Sequence, residues 1–240
     1  MTPQQNFVAE GHPVPAGHGW TWIAQAWDLF KRAPALWIGM ILTLVVILVI
    51  IAFVPFLGSI LNMALSPVFA AGLMIGCRTL EEGGELEFRH LFAGFQTRTG
   101  TLIGVGLLYL AAMIAIVLVV GAITGASMFA FFIGGANPSA GVAFTTIALA
   151  ILIMLALMVP LAMAIWFAPP LAVFHGLNAF DALKASFMGC LKNVVPFLVY
   201  GLIVLGFAIL ASIPLCLGWL VLGPVIAASI YTSYRDIYFT

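Results

Sequence analysis

The stretch that most constrains the fold is Leu36 to Val54, an apolar segment without a charged residue. Its length matches the roughly 20 residues that an α-helix needs to cross the hydrocarbon core of a bilayer. Similar segments recur along the chain, and only 7% of all residues are charged, whereas a soluble domain carries about 25%. The sequence therefore excludes a soluble globule and predicts an all-α integral membrane protein.

Six apolar segments predict six transmembrane helices in a single membrane domain, residues 19–240. The predicted spans cover residues 36–54, 57–80, 101–124, 142–168, 194–212 and 215–233. The second and fourth spans contain Pro67 and Pro160, and a proline can break a spanning helix where a cavity is lined. We predict that the glycine-rich residues 125–141 form an irregular segment at the outer interface or over the bundle. The sequence after Tyr231 is predicted to be a polar tail.

Three short segments carry apolar residues at the spacing of one face of an α-helix. They cover about residues 20–32, 88–95 and 180–192, and each precedes a pair of predicted spans. We predict three repeated units, each with one amphipathic interfacial helix and two spans. Unrelated hairpins with interfacial helices would give the same pattern. Aromatic side chains suit the headgroup region, and the predicted membrane-interface residues are Trp20, Ile23, Trp27, Phe30, Phe88, Phe92, Phe95, Phe180, Leu183 and Phe187.

The basic residues divide the chain between two faces of a membrane. With six spans, all eight fall in the N-terminal region, the second-to-third loop, the fourth-to-fifth loop or the C-terminal end. The positive-inside rule assigns that face to the cytoplasm. We therefore predict a bacterial inner-membrane protein with both termini cytoplasmic. Residues 1–18 lack the features of a cleaved signal peptide and are predicted to be a flexible cytoplasmic tail. The topology-setting residues are Lys31, Arg32, Arg78, Arg89, Arg98, Lys184, Lys192 and Arg235.

The sequence contains no recognisable set of catalytic or cofactor-binding residues. It has no GxSxG, HExxH, Walker or GxGxxG motif, and no ionisable residue in the central part of a predicted span. The simpler interpretation of the potential metal ligands is that the cysteines are free and act as small apolar residues, and that the histidines are solitary interfacial residues. We predict no metal and no cofactor. Four residues of similar predicted depth would form a metal site only if the fold brings them together: Cys77, His90, His175 and Cys190.

Two groups of polar residues leave alternatives open. The acidic residues between Glu81 and Glu87 indicate a solvated loop, with a cation site or a partner-docking site as the alternative. The polar residues within the first two spans predict hydrogen bonds between helices: Thr43, Ser59, Asn62 and Ser66. The alternative for these residues is a weak polar path through the bundle.

Four segments together resemble a family of uncharacterised proteobacterial six-span inner-membrane proteins: WTWIAQAWDLFKRAPALWIG, LFAGF, DALKASFMGCLKN and YTSYRDIY. The resemblance covers most of the chain and implies a fold and a location. More distantly, the architecture is similar to the membrane domain that precedes the catalytic barrel in some bacterial glycerophosphodiester phosphodiesterases. The chain lacks that barrel, so the resemblance does not imply the phosphodiesterase activity, and no functional residue carries over.

Three hypotheses about function follow. The favoured one is a non-catalytic membrane protein that scaffolds or regulates a membrane process, because no catalytic set is visible. The second is a facilitator or a protein that handles a lipid or small molecule, because Pro67 and Pro160 would bend their spans. The third and weakest is an intramembrane enzyme. Expected partners are membrane lipids and an unidentified protein, and zero net charge gives no indication of nucleic acid.

Overall fold

The computed structural model of the protein describes residues 6–55, 57–133 and 140–240. Within these residues the chain forms nine α-helices and one 3₁₀ helix. The first three are α1 (His18–Arg32), α2 (Pro34–Ala52) and α3 (Leu57–Glu81). The 3₁₀ helix (Phe88–Phe95) precedes the longest pair, α4 (Thr99–Ile133) and α5 (Ala140–Trp166). The last four are α6 (Ala168–His175), α7 (Ala179–Lys192), α8 (Val194–Ser212) and α9 (Trp219–Tyr238).

The predicted all-α membrane fold is confirmed at the level of its helices. In the described part of the chain, five helical segments are long and apolar enough to cross a membrane: Pro34–Ala52, Leu57–Glu81, Thr99–Gly125, Phe144–His175 and Val194–Ser212. The predicted sixth span corresponds to α9, whose second half carries hydroxyl groups and charges. Six spans therefore stay a prediction.

The structure corrects the predicted irregular segment at residues 125–141. α4 continues through Gly125 to Ile133, and α5 begins at Ala140, so the prediction is wrong for those residues. Residues 134–139 lie outside the described part of the chain. Glycines do not end a helix in an apolar setting because leaving the helix would expose backbone groups that lipid cannot satisfy. At 35 residues, α4 is about 52 Å long, well beyond the ~30 Å core of a bilayer.

The helix of the fourth predicted span is interrupted at Phe167, within the segment Phe144–His175. α5 stops at Trp166, and Phe167 leaves the regular helical backbone with φ −106° and ψ 0°. The backbone N–H of Phe167 donates instead to Ser186 Oγ at 2.9 Å. Pro169 and Pro170 then occupy the first turn of α6, where a missing N–H costs nothing.

Both predicted tails are packed against the protein. The segment after Tyr231 is the last part of α9, where Tyr234 and Tyr238 are almost fully buried. The N-terminal segment pairs with it through an antiparallel bridge between Phe7 and Phe239. The backbone N–H of Val8 donates to the Tyr238 oxygen at 2.9 Å, and that of His12 donates to the Ile237 oxygen at 2.9 Å. The prediction of a flexible tail is therefore wrong from residue 6 to residue 17, and residues 1–5 lie outside the described range.

The three short helices pack in a cyclic order. α1 packs mainly on α8 and α9, the 3₁₀ helix on α3, and α7 on α5 and α6. The 3₁₀ helix and α7 thus contact helices that precede them in the sequence, and α1 contacts the last two helices of the chain. The repeat itself stays a prediction, because the middle element is a 3₁₀ helix of 8 residues while α1 and α7 are α-helices of 15 and 14 residues.

Candidate functional site

A polar junction forms where the ends of α1, α3 and α9 meet. Glu81 Oε2 accepts a hydrogen bond from the Tyr231 hydroxyl at 2.5 Å and pairs with the guanidinium of Arg235. Arg32 Nη1 donates to the backbone oxygen of Leu80 at 2.5 Å. Arg78 pairs with Glu82 through Nε at 2.8 Å. The junction therefore brings together three of the eight predicted topology-setting residues: Arg32, Arg78 and Arg235.

Two small cavities flank this junction. One has a volume of about 250 Å³, and its wall includes Asp28, Arg32, Glu81 and Arg235, so its charges balance. The other, here named the arginine cavity, has about 240 Å³. Its wall contains two guanidinium groups but a single carboxylate. The arginine cavity is lined by Arg78, Glu82, Phe174, His175, Tyr231, Tyr234, Arg235 and Phe239.

A stripe of tyrosines on α9 anchors this region to the helices around it. Tyr234 Oη lies 2.6 Å from His175 Nε2, and the Tyr238 hydroxyl donates to the backbone oxygen of Ala185 at 2.9 Å. Burial raises the pKa of the Tyr238 hydroxyl well above its usual value, so the group stays a neutral donor at physiological pH. Phe7 stacks on His175 with ring centroids 3.4 Å apart, so the N-terminal segment also packs against this region.

A second polar contact joins α1 to α9. Asp236 Oδ2 accepts the indole N–H of Trp22 at 2.7 Å and lies 2.8 Å from His18 Nδ1. Trp22 is fully buried and packs against Phe197 with ring centroids 5.2 Å apart. A carboxylate that accepts an indole N–H in a largely apolar region is a strong positional constraint. Asp236 therefore fixes the rotation of α1 against α9.

A larger cavity lies at the level of the spans, here named the membrane cavity. It has a volume of about 420 Å³, within the range of about 300–1,000 Å³ typical of ligand pockets. Its α3 wall runs from Asn62 to Met74, or about 18 Å along the helix axis. Pro67 lies between these two residues. The remaining wall comes from α2, α4, α5, α6 and α9, and includes Leu48, Tyr109, Trp166, Pro170 and Ile230.

Two buried polar atoms of this wall have no hydrogen-bond partner in the described part of the chain. They are Asn62 Oδ1 and Trp166 Nε1. The amide nitrogen of Asn62 donates to the backbone oxygen of Leu48 at 3.2 Å, so the helix-to-helix bond predicted for this residue is present. A buried polar group without a partner costs about 1–3 kcal/mol. An occupant with polar atoms that reached either group would recover part of that free energy.

An apolar groove of about 660 Å³ lies beside the contact of α1 with α8 and α9. Trp20 and Trp27 lie along α1 at this groove, and Phe207 and Leu222 face them from the other two helices. Trp20 is 53% exposed and Trp27 43%. The packed face of α1 is a different one, which contains Gly19, Trp22, Ile23, Ala26, Leu29 and Phe30.

The ten predicted membrane-interface residues have unequal surroundings. Ile23 and Phe30 are buried inside the protein, whereas Leu183 and Phe187 are half-buried. The exposed members are Trp20, Trp27, Phe88, Phe92, Phe95 and Phe180. The structure contains no membrane, so contact of these six side chains with lipid headgroups stays a prediction.

The other five topology-setting residues lie outside the polar junction. Lys31 pairs with Asp28, and Arg89 with Glu87, both on the exposed surface. Lys192 Nζ donates to the backbone oxygen of Gly11 at 3.2 Å. The remaining two are Lys184, which is exposed, and Arg98, whose guanidinium lies beside Gly176.

The proposed metal ligands do not converge. No group of three or more His, Cys, Asp or Glu side chains in the described residues is placed to hold a metal ion. His90 caps the 3₁₀ helix by accepting the N–H of Glu87 at 2.9 Å, while His175 contacts Tyr234. Burial raises the pKa of the Cys190 thiol to about 12, which keeps it protonated at neutral pH.

The sequence analysis identified the arginines of the junction but missed the acidic and aromatic residues of the junction and of the neighbouring contacts of α9. Glu81 was assigned to a solvated loop, and Tyr231, Tyr234 and Asp236 to the end of a span and a polar tail. A signal was present, because Tyr231, Tyr234 and Tyr238 recur at i, i+3 and i+7, which is the spacing of one helical face. That stripe predicts a packed helix rather than a tail.

A Burkholderia thailandensis protein named "probable inner membrane protein" is 30% identical to the chain over 245 residues, which cover 94% of this chain and 91% of the relative. The chain belongs to this family of inner-membrane proteins. No protein-family model matches the chain. No solved structure matches it. These findings do not connect the family to glycerophosphodiester phosphodiesterases, and that distant resemblance stays a hypothesis.

Proposed function

We propose that this inner-membrane protein is non-catalytic and binds a lipid-like amphiphile in the membrane cavity. The observation that carries the proposal is the pair of buried, unpartnered polar atoms in the cavity wall, Asn62 Oδ1 and Trp166 Nε1. Most of the remaining wall is apolar, and includes Leu48, Pro67 and Ile230. An amphiphile suits such a wall because its apolar chain contacts the apolar side chains of the wall and its polar atoms pair with the two unpartnered groups.

The cavity favours this function over the scaffold hypothesis, which was first in the sequence analysis. A scaffold or regulator needs a surface for a protein partner, and the groove beside Trp20 and Trp27 is the feature that supports it as the second candidate. The groove has no unpartnered buried polar atom in its described wall, so it specifies an occupant less well than the membrane cavity does.

Filling the cavity tests the proposal. Ala70 lines the cavity on α3, so Ala70→Phe is expected to reduce the amphiphile retained by the purified protein about tenfold, because the new ring occupies its place. Native mass spectrometry after mild detergent extraction measures the retained mass. Ala156→Phe, on the exposed surface of α5, is the matched control and should leave the retained amount unchanged.

Two outcomes would contradict the proposal. Wild-type protein that carries no amphiphile, even after incubation with membrane lipids, would remove its basis. Equal retention by Ala70→Phe and wild type would place the amphiphile elsewhere on the protein. Recovery of a bound protein partner without any amphiphile would favour the scaffold hypothesis instead.

The proposal includes a topology of six spans with both termini cytoplasmic, in which α9 is the sixth span. Cys216 lies in the turn between α8 and α9 and is exposed, whereas Cys77 and Cys190 are buried. We expect a membrane-impermeant maleimide to label intact spheroplasts at Cys216, and Cys216→Ser to abolish the label. A C-terminal epitope tag should become accessible only after lysis. Labelling of Cys216 only in permeabilised cells would contradict this orientation.

A further inference from the structure

The membrane cavity and the arginine cavity lie one helical turn apart on three helices. Met74, Pro170 and Ile230 line the membrane cavity. The residues four positions later on the same helices, Arg78, Phe174 and Tyr234, line the arginine cavity. Four residues advance an α-helix by about 6 Å. The C-terminal ends of α3, α6 and α9 meet at the arginine cavity, so the step from one cavity to the other has the same direction on all three helices.

The two cavities differ in chemistry as well as in position. The described wall of the membrane cavity contains no charged residue. The wall of the arginine cavity holds Arg78 and Arg235, which pair with Glu82 and Glu81. An apolar site one helical turn from a site lined by guanidinium groups has the order of groups found in an anionic amphiphile.

Arg78 is the donor best placed for an anion. Its one hydrogen bond in the described structure uses Nε, to Glu82, which leaves both terminal nitrogens as donors. The guanidinium lies 5.2 Å from the centre of the Phe174 ring, which limits its rotation. A planar guanidinium with two adjacent donors matches two oxygens of a phosphate.

We infer that the arginine cavity binds the phosphate of an amphiphile whose apolar chain occupies the membrane cavity. This inference rests on the proposed function and specifies the class of ligand. A lipid with a phosphate diester and a free phosphate ion share the chemistry that Arg78 recognises. The aligned apolar cavity favours the lipid as its source.

The test compares two lipids with identical acyl chains, phosphatidylglycerol and diacylglycerol, bound to the purified full-length protein and measured by native mass spectrometry. Wild type should prefer phosphatidylglycerol about tenfold, as expected for charge-assisted hydrogen bonds. Arg78→Gln should reduce this preference to near one while retaining diacylglycerol binding. Inorganic phosphate forms a third arm, and we expect it to bind much more weakly than the lipid.

Arg89→Gln is the matched control, because Arg89, like Arg78, is exposed and pairs with a glutamate but does not line the arginine cavity. It should keep the wild-type preference. Arg78→Lys retains the charge and should give an intermediate preference, which separates loss of recognition from misfolding. Binding of neither lipid to wild type would contradict the proposed function. Equal binding of both lipids, an unchanged preference in Arg78→Gln, or inorganic phosphate that binds as tightly as phosphatidylglycerol would overturn the inference alone.

Discussion

α3 and α5 are both apolar, both contain a proline and both qualify as membrane spans, yet they occupy opposite environments. In the most apolar stretch of α3, 56% of the residues are buried inside the protein, against 0% in that of α5. α3 contacts α2, α4, α6, α9 and the 3₁₀ helix, whereas α5 packs on α7 and partly on α4. Hydropathy identifies both helices, and the central one is the less apolar, with a mean hydropathy of 1.8 against 2.8 for the segment that contains α5.

The buried face of α3 and the exposed surface of α5 also differ in the size of their side chains. The buried face of α3 contains Ala64, Ala71, Gly72 and Gly76, and small side chains allow other backbones to approach closely. The exposed surface of α5 instead carries large side chains, which include Phe144, Leu152 and Val159. Bilayer lipid suits such a surface because it adapts to irregular apolar shapes. Close packing of small residues is thus the feature that makes α3 central.

The largest effect is expected at a glycine of α3 that lies against two backbone oxygens. A Cβ atom at Gly72 would lie 2.5 Å from the backbone oxygen of His90 and 2.6 Å from that of Leu91. Backbone atoms cannot move aside as flexible side chains do, so Gly72→Leu should destabilise the protein by about 3 kcal/mol or more. Thermal unfolding in detergent, followed by size-exclusion chromatography, should show a midpoint lower by about 10 °C.

Gly121→Leu on α4 is the control for this comparison. A Cβ atom at Gly121 meets nothing within 4 Å, so the added side chain points into open space. Its unfolding midpoint should stay within about 2 °C of wild type. Equal destabilisation by both substitutions would show that loss of a flexible glycine, rather than close packing, is responsible.

The sequence was sufficient for the long helices, because charge-free length and hydropathy are local properties. The predicted span 194–212 coincides with α8 at both ends. Packing faces could not be obtained in this way. For α1, the aromatic stripe indicated Trp20 and Trp27 as interface residues. The helix instead approaches α8 at Gly19, where a Cβ atom would lie 2.6 Å from the Pro196 oxygen.

The candidate site was predictable only in part, for the same physical reason. Pro67 and Asn62 were identified because a proline or an amide within an apolar span is unusual. The other residues of the cavity wall, such as Tyr109 and Trp166, come from helices far away in the sequence. Which of their side chains share a cavity depends on the tertiary packing of α3, and no local pattern encodes it.

A smaller effect is expected from a substitution in the polar contact that joins α1 to α9. Asp236→Asn removes the negative charge that faces His18 and Trp22. An amide oxygen in the place of Oδ2 can still contact both groups, but a neutral acceptor forms weaker hydrogen bonds than a carboxylate. We expect a loss of about 1–2 kcal/mol in the free energy of unfolding, measured by the same thermal assay.

Asp28→Asn gives the matched comparison on α1. The Asp28 side chain is 65% exposed and pairs with Lys31, whereas that of Asp236 is 28% exposed. Exposed ion pairs contribute little because water and salt screen them, so Asp28→Asn should shift the midpoint by less than about 1 °C. If Asp236→Asn were equally mild, then apolar packing around Trp22 would suffice to hold α1 in place.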